Sequence, residues 1–152
     1  MSDSALKQTI QDAMKTAMKA GDKPRLGVIR LITSAIKQVE VDERKDLSDA
    51  DILAILDKMT KQRRESAAQY EQAGRQDLLD QENYEITVLQ AFLPEALSDD
   101  EIDALIEAAI ASTQASSIKD MGKVMGELKP KLQGRADMGA VSGRIKARLN
   151  AA

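Results

Sequence analysis

Asp22-Lys-Pro-Arg-Leu-Gly-Val-Ile-Arg-Leu-Ile-Thr-Ser-Ala-Ile-Lys-Gln-Val39 is the stretch whose reading decides the fold. Its apolar residues Val28, Ile29, Ile32, Ala35, Ile36 and Val39 recur at intervals of three and four. That spacing gathers them on one face of an α-helix, whereas a strand would scatter them over both of its faces. Asp22 is a good N-cap, and Pro24 falls in the first turn, where a missing N–H costs nothing. A charged turn, Val41-Asp-Glu-Arg-Lys-Asp46, is expected to follow.

The same reading extends in both directions. Upstream, Leu6, Ile10, Ala13, Met14, Ala17 and Met18 form one helical face, and Gly21 sits where a helix C-cap glycine belongs. Downstream, Ser48 and Asp51 open a third helix in capping-box fashion. Its apolar line is Ile52, Ile55, Leu56, Met59, Ala67 and Tyr70, ending at Gly74. A fourth segment uses Leu78, Leu79, Ile86, Leu89, Phe92 and Leu93 before Pro94 stops it.

Leu97-Ser-Asp-Asp-Glu101 marks a boundary. Ser98 and Glu101 are three apart, as a capping box requires, and acids in the first turn suit the helix dipole. The fifth helix then runs through Ile102, Leu105, Ile106, Ala109 and Ile110. Ser117 and Asp120 start a sixth, and Gly134 with Asp137 separates it from a last helix carrying Val141, Ile145 and Leu149. The expectation is an all-α chain. A larger N-terminal helical lobe of about four helices (residues 1–94) is followed by a small three-helix C-terminal lobe (95–152).

Composition narrows the chemistry. The 152 residues are 43% hydrophobic and 31% charged, with one Phe, two Tyr and no Trp, Cys or His. Without Cys there is no disulfide, thiolate nucleophile or thiolate metal site. Without His the commonest general acid–base near neutral pH is missing, as are Ser-His and Cys-His pairs. Neither G-x-x-x-x-G-K-[ST] nor G-x-G-x-x-G occurs, so no phosphate loop is recognisable. The acid pairs Asp49/Asp51 and Asp99/Asp100 lie in first turns, where the dipole alone explains them. No catalytic residue, metal ligand or cofactor is expected. Met1-Ser-Asp-Ser lacks the features of a signal peptide, and no apolar run approaches about 20 residues, so a cytoplasmic location and no membrane contact are expected.

The net charge of −3 is unevenly spread. Residues 95–118 hold six acids and no cation, whereas residues 119–152 hold eight cations against three acids. Lys123, Lys129, Lys131, Arg135, Arg144, Lys146 and Arg148 are therefore candidate contacts for nucleic-acid phosphates. The same cations also suit a solubilising face, or one that docks on the acidic fifth helix. Gly122 and Gly126, four apart in the sixth helix, and Gly134 after it are candidate close-approach positions, open to another helix or to an RNA backbone. No aromatic residue lies near them, which argues against base stacking. The cations along the third helix, Lys58 to Arg75, read instead as a solvated ion-pair face.

Three stretches carry a family resemblance: Lys19 to Lys37; Gly74-Arg-Gln-Asp-Leu78 through Phe92-Leu-Pro94; and Asp120-Met-Gly-Lys-Val-Met-Gly126 with Lys129-Pro-Lys-Leu-Gln-Gly-Arg-Ala-Asp137. In order and over nearly the whole chain they resemble the YqeY-like proteins. That family is similar to the tail domain of the B subunit of glutamine-dependent aspartyl/glutamyl-tRNA amidotransferase. The resemblance implies an all-α protein related to a tRNA-contacting appendage, without the parts that carry transamidation or glutamine hydrolysis. Family members often place Gly-Lys after the Ala-Asp, where this chain has Met138-Gly139.

The basic end and the resemblance together lead to an expected non-catalytic, tRNA-associated accessory module, with tRNA as its partner. The alternative is a protein–protein adaptor for a translation-related enzyme, such as an aminoacyl-tRNA synthetase or an amidotransferase. A third reading, a carbon–nitrogen ligase using glutamine as amido-N-donor, follows only from association with the amidotransferase.

Overall fold

The computed structural model describes residues 4–151. The reading of Met1-Ser-Asp as the start of a leaderless chain falls on residues outside that range. Among the described residues all regular structure is helical: α1 (Ala5–Ala20), α2 (Lys23–Glu43), α3 (Asp49–Gln72), α4 (Gln76–Gln90), α5 (Asp99–Thr113), a 3-10 turn (Ile118–Asp120), α6 (Met121–Leu132) and α7 (Met138–Ala151). The chain divides into two compact units, Met1–Leu93 and Pro94–Ala152.

In the first unit α1 packs along α2, and α3 along α4. Ile10, Ile29, Ile32, Ile52, Leu56 and Leu89 are fully buried at its centre. Each such side chain removed from water contributes about 1.5–3 kcal/mol. Ser4, Asp22 and Ser48 cap α1, α2 and α3 through their side chains. Ser48 and Asp51 complete a reciprocal capping box, while Leu47 before it and Ile52 after it are buried in the same cluster. Gly21 ends α1 at φ +68°, a left-handed conformation that a side chain would strain.

Two features of this unit differ from the sequence expectation. α2 does not stop at Val39 but continues through Glu43, so the first half of the expected turn is helix. Two side-chain contacts hold that extra turn: the Lys7 ammonium meets the Glu40 carboxylate at 2.7 Å, and the Gln38 amide donates to Asp42 at 2.9 Å. Arg44 closes the helix in the left-handed region at φ 53°. The expected ion-pair face of α3 is also partly internal. Arg63 reaches across to Glu85 of α4 at 3.7 Å, with both side chains largely buried, and donates to the Met59 carbonyl at 3.5 Å. Burial, followed by the nearby Glu85 charge, pushes the Glu82 carboxyl up.

In the second unit α6 lies against both α5 and α7. Its Val124, Leu128 and Leu132 are fully buried, facing Ile106 of α5 and Ile145 of α7 within one cluster. α6 is a poor helix by composition, since it holds Gly122, Gly126 and Pro130. Packing of its apolar face must therefore supply what propensity does not.

Candidate nucleic-acid interface

The seven cations singled out in the sequence are not brought together on one surface. α5 carries Asp99, Asp103 and Glu107 at four-residue steps, and α7 carries Arg144 and Arg148 at the same step. Residues four apart lie on one helical face, so the two rows meet. Arg144 donates to Asp99 at 2.6 Å and to Asp103 at 3.2 Å, and Arg148 pairs with Glu107. The hydrogen bond to Asp99 raises the Arg144 pKa further above its ordinary range. These two arginines are occupied within the unit.

Arg135 is occupied as well. Its backbone carbonyl accepts from Leu97 N–H at 2.9 Å, and its Nε donates to the Glu95 carbonyl at 3.2 Å, which ties the start of the unit to the turn before α7. Gly134 takes φ +77° there, so its glycine serves the turn conformation rather than close approach. Asp137 accepts from Gly139 N–H at 3.0 Å and so fills the start of α7 that an external anion would otherwise use.

The lysines behave differently. Lys123, Lys129, Lys131 and Lys146 are exposed. Only Lys123 has an ion-pair partner among the described residues, Asp120 three residues earlier at 3.8 Å. Asp120 itself faces backbone N–H groups of Ser116 and Ser117, which hold its carboxyl below the usual range. At about 100° per residue, Gly122, Gly126 and Lys129 share the outer face of α6, with Lys123 at its edge and Lys131 on another side. Lys146 stands on α7, beside the exposed Gly143 and Ala147. Lys119, absent from the sequence-derived set, lies in the 3-10 turn immediately before α6 and is exposed. Its spacing of three before Gly122 is the signal that would have found it.

Gly122 and Gly126 are exposed, and a Cβ built on either would meet nothing within 4 Å. Close packing of another helix of the unit is therefore not what these glycines serve. No group of three or more carboxylates among the described residues is placed to hold a metal ion. No described helix is long and apolar enough to cross a membrane.

Comparison with known proteins agrees with the family resemblance. The protein of Pyrenophora tritici-repentis named altered inheritance of mitochondria protein 41, mitochondrial, is 28% identical over 129 residues, covering 84% of this chain and 71% of that one. Its namesake in Kluyveromyces lactis is 34% identical over 116 residues, covering 74% of this chain and 60% of its own length. A Schizosaccharomyces pombe protein is 29% identical over 94 residues, 62% of this chain and 76% of that protein. The chain thus spans about three fifths to three quarters of these relatives. The names of the first two place those proteins in mitochondria, which does not fit a plain cytoplasmic expectation. The model of the YqeY-like proteins matches residues 7–149, and the chain belongs to that family.

Proposed function

We propose that this chain is a non-catalytic, tRNA-associated accessory module that touches the RNA backbone through the outer face of α6. The pair Gly122 and Gly126 carries the reading. Each glycine inside a helix costs about 0.5–1 kcal/mol relative to alanine, and no packing among the described residues repays it. A bare helical surface flanked by Lys119, Lys123 and Lys129 suits close approach of a phosphate backbone. Arg135, Arg144 and Arg148 are scaffold in this reading, and Lys131 and Lys146 lie off the face. The compartment is an aqueous one where tRNA is handled, the cytoplasm or the mitochondrion that the relatives' names indicate.

Filter binding of total tRNA across a salt series tests it. Three phosphate contacts predict that log affinity falls against log salt with a slope of about −2 to −3. The reading fails if tRNA is not retained at low salt, or if salt does not weaken binding. The adaptor reading draws on the exposed length of α2 instead. Partner retention in a pulldown after RNase treatment favours it. No residue is assigned here to glutamine-dependent ligase chemistry, and ammonia release from glutamine by the purified chain would reopen that reading.

A further inference from the structure

The strongest feature outside α6 lies on α2. Lys23, Arg30, Lys37 and Arg44 recur every seven residues along it and its C-cap. All four are exposed, and none makes an ion pair or side-chain hydrogen bond among the described residues. Seven residues of helix rise about 10.5 Å and drift about 20° around the axis, so Lys23, Arg30 and Lys37 form a row about 21 Å long, with Arg44 at the left-handed C-cap beyond its end. Beside the row runs a second one, Gly27, Leu31, Ser34, Gln38 and Val41, spaced four, three, four and three.

Every member of that second row is exposed, Leu31 by 45% and Val41 by 58%, and these are two of the four large exposed hydrophobic residues in the described chain. A Cβ on Gly27 would meet nothing within 4 Å. A cavity of about 570 Å³ opens next to its C-terminal half. Its lining is mostly polar, with Lys7 and Gln11 from α1 and Ser34, Lys37, Gln38 and Glu40 from α2, and Lys7 neutralises the Glu40 carboxylate.

We infer that the outer face of α2 docks an acidic amphipathic helix of a partner protein. Spacing of four and three puts these five residues on one strip, where the small Gly27 and Ser34 leave room for another helix to lie against Leu31 and Val41. Cations every seven residues beside such a strip select a partner with carboxylates at the same interval. Leu31 and Val41 offer apolar contact that a phosphate backbone has no use for. This inference is independent of the RNA contact on α6, since the two surfaces lie in different units and share no residue.

The test places the photo-cross-linking residue p-benzoylphenylalanine in place of Ser34 in the full chain, irradiates the cells, and sequences the captured segment by mass spectrometry. A control carries the same residue in place of Gln62, exposed on α3. The expected capture is a protein segment with apolar residues at three- and four-residue intervals and a carboxylate every seventh position. Arg30→Glu with Lys37→Glu is expected to lower capture at least tenfold, with an unchanged circular-dichroism melt. Arg30→Gln with Lys37→Gln lowers it less, and reversing the captured segment's acids to lysine restores binding to the doubly acidic variant. Capture of RNA, of lipid, of a second copy of this chain or of a segment without acids overturns the inference. So does capture no greater than from position 62.

Discussion

α6 and α7 are neighbours in the same unit and both basic, yet the lysines of α6 and the arginines of α7 have opposite fates. On α7, Arg144 and Arg148 reach α5 and are held by Asp99, Asp103 and Glu107. On α6, Lys129 and Lys131 face water with no carboxylate in reach among the described residues, and Lys123 has only the distant Asp120. The difference teaches that charge density along a sequence does not measure charge available to a partner. A planar guanidinium that meets two carboxylates in register is structural, whereas lysines beside exposed glycines remain open to a ligand.

The contrast is most severely tested on the packed side of α6. Leu128→Ala removes a fully buried side chain and is expected to destabilise the second unit by about 2–5 kcal/mol, measured from the urea midpoint. The opposite side of the same helix should behave in reverse. Lys119→Glu with Lys123→Glu and Lys129→Glu is expected to lower tRNA affinity at least tenfold in filter binding while the melt stays within a few degrees. Equal loss from Arg144→Gln with Arg148→Gln would show that the α7 arginines are available after all.

Gly122→Ala and Gly126→Ala separate stability from binding. Each new methyl enters open space, so each substitution should stabilise the protein by about 0.5–1 kcal/mol in a urea titration. If RNA needs the bare surface, the double variant binds more weakly although it is more stable. Gain in stability with unchanged affinity removes the main support for RNA contact at that face.

The pairing on α7 should produce a smaller signal. Asp99 is exposed and Asp103 half-buried, so solvent screens much of the Arg144 fork. Arg144→Ala should lower the melting temperature slightly, and a double-mutant cycle with Asp103→Ala should show a coupling that 1 M salt abolishes. Smallest of all is a pH effect at the start of α6. The Asp120 carboxyl is held down by the Ser116 and Ser117 N–H groups, so its folded pKa lies below its unfolded one. Its contribution is then fully present above the unfolded carboxylate range and is lost as pH falls through the lower folded value. Asp120→Asn should flatten the acid limb of a stability-versus-pH curve, and an unchanged limb would assign that limb to other carboxylates such as Asp51.

Much of the fold was legible because helix signals are local. The Ser48–Asp51 and Ser98–Glu101 boxes formed as spaced, and Gly21 and Gly134 took left-handed φ where the helices before them end. Val141, Ile145 and Leu149 at four-residue steps are all buried. The end of α2 was not legible, because the charged run from Val41 reads as a turn until Lys7 of another helix supplies a partner for Glu40. Docking of late cations on the acidic fifth helix was one reading the sequence offered, and Arg144 and Arg148 follow it, but the register that sets Arg144 against Asp99 was not legible. The four-residue rows on both helices are visible in the sequence, but which row meets which depends on how α5 and α7 both pack on α6.

Residue order alone settled that this chain is helical, where most of its helices are capped, which faces are apolar and that the basic residues cluster late. Those properties arise within a few turns of backbone, where spacing and side-chain type are sufficient. Only the folded units decided that the α7 arginines belong to α5, that Gly122 and Gly126 look outward, and that α2 leaves a cation-bordered seam uncovered. Such outcomes depend on which surfaces the packed core consumes, and that is a property of contacts between segments distant in the chain.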